Sequence, residues 1–155
     1  MRLTTLLLSA ALMATCPSAR AAALTMAPGV FDLGKSEKAL GQFEYRFPVD
    51  WSGFRPQAGL FVSEDSVAYV YTGLGYPFSL SEKWSIVPSV SAGYYNDGTG
   101  KDLGNSLEFY SQLRLEYQPA SNGRIGLGYG HISNAGLGDD NPGAETLYLS
   151  YSLRF

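Results

Sequence analysis

Thr146-Leu147-Tyr148-Leu149-Ser150-Tyr151-Ser152-Leu153-Arg154-Phe155 closes the chain, and its reading decides the fold. Every odd position from Leu147 to Phe155 is aliphatic or aromatic, and the even ones are polar apart from the tyrosine. Side chains alternate across a β-strand, so this stretch predicts a strand with one greasy and one polar face. The same alternation recurs upstream. Leu107, Phe109, Leu113, Leu115 and Tyr117 oppose Glu108, Tyr110, Gln112, Arg114 and Glu116. Phe43, Tyr45 and Phe47 oppose Gln42, Glu44 and Arg46, while Val70, Leu74, Tyr76 and Phe78 share a face. Ile125, Leu127 and Tyr129 oppose Gly126, Gly128 and Gly130.

Turn signals rich in Gly, Asp, Asn and Ser separate these runs, as in Asn96-Asp97-Gly98-Thr99-Gly100 and Ser121-Asn122-Gly123. The pattern predicts strands near 24–34, 39–48, 57–64, 66–78, 84–95, 105–118, 123–133 and 145–155. No helical periodicity interrupts them. Eight strands of about ten residues suit an antiparallel barrel, which has no open edge. Trp51 and Trp84 precede or start strands and are expected in an interfacial aromatic belt.

Alternation alone does not say which face is outside. A soluble lipocalin-like barrel turns its apolar face inward, a membrane barrel outward. Charges of both signs (Glu44, Arg46, Glu108, Arg114, Glu116) suit pairing in a narrow lumen, and the glycines of 126–130 suit its crowding. The terminal Phe155 after an alternating apolar strand resembles the C-terminal signature of bacterial outer-membrane proteins. The expected fold class is therefore all-β, an eight-stranded transmembrane barrel of outer-membrane type.

A chain of 155 residues implies one domain. Met1-Arg2, the apolar run Leu3–Ala14 and Ala19-Arg20-Ala21 read as a secretory leader with its cleavage site. Residues 1–21 are thus expected to be removed, leaving 22–155 as the barrel domain. The single cysteine, Cys16, goes with the leader, so disulfides and thiol chemistry are not expected. The net charge of -3 grows more negative without Arg2 and Arg20. An acidic chain without basic clusters argues against a nucleic-acid partner.

The only histidine, His131, stands two residues before Ser133, and both share the apolar face of the seventh strand. Glu145 shares the apolar face of the eighth. A serine becomes nucleophilic when histidine takes its proton and an acid orients the histidine. If Glu145 lies across from His131, then Tyr129 faces Leu147 and Leu127 faces Leu149, so one register builds the triad and matches the greasy side chains. Polar groups on a greasy face are costly unless they sit near the interface, and these flank the 134–144 loop. One histidine is too few for a typical zinc site, and no metal or other cofactor is expected. Asn96–Asp102 lacks the spacing of a calcium loop and reads as a hairpin turn.

The segment Gly130-His131-Ile132-Ser133-Asn134-Ala135, with Asn141-Pro142-Gly143 and Glu145, resembles the lipid A 3-O-deacylase (PagL-type acyloxyacyl hydrolase) family. Gly29-Val30-Phe31-Asp32, Glu44-Tyr45-Arg46-Phe47, Arg55-Pro56 and Lys101-Asp102-Leu103-Gly104 with Glu108-Phe109 extend the resemblance over most of the chain. The resemblance implies an outer-membrane serine esterase with Ser133 as nucleophile, His131 as base and Glu145 as orienting acid. Its substrate would be lipid A of lipopolysaccharide, met among outer-membrane lipids. Asn134, Gly136 and Asn141 are candidate oxyanion donors. Pro142 has no N–H to offer. A homodimer is compatible with the sequence. Two other functions remain open at this point: a non-catalytic structural or adhesive barrel, and an outer-membrane phospholipase.

Overall fold

The computed structural model describes residues 18–155, so most of the expected leader, with Cys16, lies outside the described residues. Eight long strands form: β1 Ala23–Phe31, β2 Lys38–Arg46, β3 Arg55–Ser63, β4 Ala68–Gly75, β5 Trp84–Asn96, β6 Leu107–Tyr117, β7 Gly123–Ser133 and β8 Ala144–Arg154. Each pairs antiparallel with its sequence neighbours, and β8 pairs with β1 to close the barrel. Ser18–Ala19 adds a short pairing to Val49–Asp50. One end of the barrel, the upper rim, carries the loops 32–37, 64–67, 97–106 and 134–143. The lower rim carries the shorter turns and the junction of the chain's two ends, where the Phe155 amide donates to the Ala22 carbonyl at 3.0 Å.

All eight expected strands are present, with shifted ends. β1 stops at Phe31 because Asp32 takes a left-handed conformation (φ 56) and its carbonyl accepts from the Lys35 amide at 3.1 Å. The expected 66–78 strand breaks at Pro77, which has no amide for the ladder, leaving β4 and a two-residue pairing of Phe78–Ser79 with β5.

The greasy face points outward, and Leu127, Leu149, Val90 and Tyr94 are each at least half exposed. The polar face fills the lumen. Arg114 donates to Glu44 and Glu116 at 2.9 Å each, and Arg46 and Arg124 reach Glu116 at 3.3 and 2.8 Å. Above this lattice, Tyr148 donates to Gln112 at 2.6 Å, and Gln42 donates to Tyr71 at 2.9 Å. Four of the five charges expected to pair in the lumen do so; the buried Glu108 carboxylate has no hydrogen-bond partner among the described residues. Burying so many ions is tolerable only when they satisfy one another. Gly128 and Gly130 are required by crowding. A Cβ there would lie 2.2 Å from the Tyr148 ring and 2.4 Å from the Tyr110 ring.

Nearer the upper rim the lumen is plugged by Phe31, Phe61, Tyr69, Tyr95, Tyr110 and Leu103 with Ile132 and Ala144. Tyr69 and Tyr95 spend their hydroxyls on the Glu108 and Lys101 carbonyls at 2.8 and 2.6 Å, which ties the 97–106 loop to this plug. Around the lower rim, Tyr45 with Phe47, Phe54 with Tyr76, and Trp84 with Tyr117 pack as ring pairs with centroids 4.9–5.0 Å apart. Trp51 and Trp84 are about half exposed in that ring, as an aromatic belt requires.

Candidate active site

Two strand ends at the upper rim carry the site. Ile132 of β7 and Ala144 and Thr146 of β8 point inward and are fully buried, which fixes the outward parity of their neighbours His131, Ser133 and Glu145. His131 lies directly across from Glu145, Tyr129 from Leu147, and Leu127 from Leu149, the register expected from the greasy matching. A slip of one residue would turn every leucine of β8 into the charged lumen. The imidazole Nδ1 is 3.4 Å from Glu145 Oε1. With its proton on Nδ1, toward the carboxylate, the imidazole would present the Nε2 lone pair.

Ser133 stands two residues beyond His131 on the same face and opposite Phe109 of β6. Residues so spaced on a strand are about 6.6 Å apart at Cα, within reach of an imidazole leaning along the strand. The Ser133 hydroxyl has no hydrogen-bond partner among the described residues, so the structure pairs His131 with Glu145 but does not bond Ser133 to His131.

The loop after Ser133 is built to hold its shape. Ala135 and Gly136 are both left-handed (φ 54 and 79), and the Leu137 amide closes the turn on the Asn134 carbonyl at 3.1 Å. Asn134 is fully buried and organises the loop. Its side-chain amide donates to the Leu103 and Asp140 carbonyls at 2.8 and 2.7 Å, and its side-chain oxygen accepts from the Gly136 amide at 2.8 Å. Its own backbone amide donates to the Asn141 side-chain oxygen at 3.2 Å. Of the three oxyanion candidates, Asn134 and Gly136 therefore have their donors engaged within the loop. The exposed Asn141 side chain keeps its NH2 without a partner among the described residues.

Two contacts had no signal in the sequence. Lys35, from the 32–37 loop, brings its ammonium to 3.5 Å of Glu145 Oε2, and the Leu33 amide donates to the Glu145 carbonyl at 3.1 Å. Glu145 thus stands between His131 and a cation, anchored across the β8–β1 seam. Gly143 is left-handed (φ 56), and a Cβ there would come within 2.9 Å of His131 Cε1. Gly143→Ala is expected to push the imidazole out of line and to strain the backbone by about 1–2 kcal/mol. If His131 acts on substrate, a misplacement of this kind is expected to cost about 100-fold in turnover. Ester hydrolysis by the purified variant, with folding checked by heat-shifted electrophoretic mobility, measures it, and unaltered turnover would overturn the assigned contact.

The family model described as lipid A 3-O-deacylase (PagL) matches residues 41–154. Lipid A deacylase PagL of Bordetella bronchiseptica is 36% identical over 55 residues, covering 36% of this chain and 31% of that protein. The crystal structure of the outer membrane enzyme PagL superimposes with a TM-score of 0.70 at 19% identity, covering 86% of this chain and 99% of that one. Neisserial surface protein A gives 0.64 at 12% identity, covering 91% of this chain and 100% of that one, and a de novo designed transmembrane barrel gives 0.67 at 11%, covering 89% and 98%. At such identities these structural likenesses establish the outer-membrane barrel fold alone. The match of the family model over residues 41–154 settles the kinship: this chain belongs to the lipid A 3-O-deacylase (PagL) family.

Proposed function

We propose that this chain is an outer-membrane serine esterase that removes the 3-O-linked acyl chain of lipid A, with Ser133 as nucleophile, His131 as base and Glu145 as the acid that orients it. The observation that carries this reading is the direct His131–Glu145 pairing, with Ser133 next on the same face, on a wall otherwise made of exposed leucines and aromatics. The leader, residues 1–21, is removed on export. An N-terminus on the periplasmic side puts the upper rim outside the cell and the triad against the outer leaflet, where the ester of a glycolipid lies.

In the first step the Ser133 hydroxyl oxygen attacks the ester carbonyl as His131 Nε2 takes its proton. The negative charge on the tetrahedral oxygen is met by donors at the loop, among which the Asn141 NH2 is not committed to another described residue. The bond between the acyl carbon and the sugar 3-oxygen breaks, the imidazolium gives its proton to that departing oxygen, and an acyl-serine remains. Water, deprotonated by His131, then releases a 3-hydroxy fatty acid and restores Ser133. Glu145 stabilises the imidazolium in both steps.

Glu145→Gln preserves the size of the side chain but removes its charge. It is expected to lower kcat by about 100- to 10,000-fold with KM little changed, since the acid acts on the histidine and not on the substrate. Steady-state kinetics in detergent reads this; a rise in KM at constant kcat would recast Glu145 as a binding group.

The proposal as a whole is tested with purified protein in an uncharged detergent, offered lipid A or a phospholipid. Release of a 3-hydroxy fatty acid from lipid A with the phospholipid left intact is the expected result. Preferential phospholipid cleavage would make the protein a phospholipase, and no cleavage of either would make it a non-catalytic barrel.

A further inference from the structure

The lower rim holds a second polar site, remote from the triad. A cavity of about 240 Å³ opens there, lined by Arg20, Arg55, Arg124 and Arg154 with Asp50 as the carboxylate in its wall. Four guanidinium groups thus face one carboxylate. Asp50 is committed to Arg20 at 3.0 Å, and Arg124 is held by Glu116 at 2.8 Å. Among the described residues the Arg154 guanidinium makes a single hydrogen bond, at 3.5 Å to the Gln118 side-chain oxygen. Arg55 is 8% exposed; it donates to the Ala21 and Phe47 carbonyls at 2.6 and 3.0 Å, and its Nε has no partner among the described residues. Arg46, deeper in the lumen and 3% exposed, also leaves its Nε without a partner. The charges of Arg20, Arg46 and Arg154 all bear on Arg55. Folding gathers these cations against their mutual repulsion and leaves buried donors empty, an arrangement that an anion would resolve.

We propose that this lower-rim cavity binds a phosphate-class anion, with Arg55, Arg124 and Arg154 as its donors. The planar forks of arginine match phosphate oxygens two at a time. Removal of residues 1–21 would change the site without abolishing it. It would take away Arg20, leaving Asp50 without that partner, and the Ala21 carbonyl, which frees a donor on Arg55. Glu116 holds Arg124 but is shared with Arg46 and Arg114, so Asp50 and Glu116 together do not neutralise the arginines gathered here. The half-exposed Trp51, Phe54 and Trp84 set the rim at the headgroup level of the inner leaflet. Two phosphates are available at that depth: a phospholipid headgroup and the free anion of the periplasm.

The test uses the full processed chain in uncharged maltoside micelles, titrated with inorganic phosphate at constant ionic strength while the phosphorus resonance is recorded. Saturable broadening is expected with the wild type. Arg154→Gln, which removes little structural bonding, is expected to weaken binding at least about tenfold, as is Arg55→Gln. Lys83→Gln, on a neighbouring turn, should bind like the wild type. Absence of saturation, or the same affinity in all four proteins, would overturn the proposal. Adding phosphatidylglycerol to the micelles assigns the source: displacement of phosphate identifies a lipid headgroup, and continued binding identifies the free anion.

Discussion

Ser133→Ala is expected to abolish deacylation while leaving the barrel folded. The hydroxyl is the bond-forming group of the proposed mechanism, and no other group at the site can replace it. Loss of the nucleophile from a comparable triad costs about a million-fold in kcat, which in cells reads as no product at all. Folding should not suffer. Ser133 is only partly buried, ends its strand, and makes no side-chain hydrogen bond among the described residues. Mass spectrometry of lipid A from cells making either protein is the measurement. Wild type should shorten lipid A by one 3-hydroxyacyl group, and Ser133→Ala should leave it whole. Shortening by both would place the nucleophile elsewhere. Intact lipid A from both, with folded protein that is also inert on lipid A in detergent, would end the esterase reading.

The second large effect concerns the lumen. Glu116→Leu is expected to destabilise the barrel by about 3–5 kcal/mol, the cost of leaving buried charges without their counterion. Glu116 is 1% exposed and accepts from Arg114 at 2.9 Å, Arg46 at 3.3 Å and Arg124 at 2.8 Å. Leucine has the size to fill the space but nothing to offer three guanidinium groups. Reversible urea unfolding in phospholipid vesicles reads the difference. A change below about 1 kcal/mol would mean that the arginines repair their pairing through Glu44, or that water reaches them.

The strands and their register were legible in the sequence because both depend on a period of two. From Leu147 to Phe155 a single slip would exchange every leucine for a polar residue, so the pattern admits one alignment with β7, and that alignment sets His131 against Glu145. The inward charges were legible for the same reason, except that Glu108 stands without the partner expected for it. The loops were not legible. Asn134, Gly136 and Asn141 are close to Ser133 in sequence, which made all three candidate donors, but a loop with two left-handed residues in a row consumes its own amides to hold that shape. Lys35 reaches Glu145 only because β8 closes on β1, a contact 110 residues apart in the chain that no local pattern encodes. Gly143 looked like turn punctuation; its second duty, making room for the imidazole, is visible only once the ring has a place.

The hairpin of β7 and β8 confines His131, Ser133 and Glu145 to fifteen consecutive residues, while the barrel around them is made by the whole chain. On the proposed mechanism, chemistry and architecture are written in separate parts of the sequence. The six other strands owe the site only a wall of the right curvature, a dry backing and the anchor at the seam. Most of the chain is consequently free to drift within its alternating pattern without touching the reaction, and a barrel with the same outline but a different last hairpin would keep the shape and lose the activity. The hairpin is therefore the part to transplant: grafted onto an inert eight-stranded host, it would carry all three residues of the proposed triad with it.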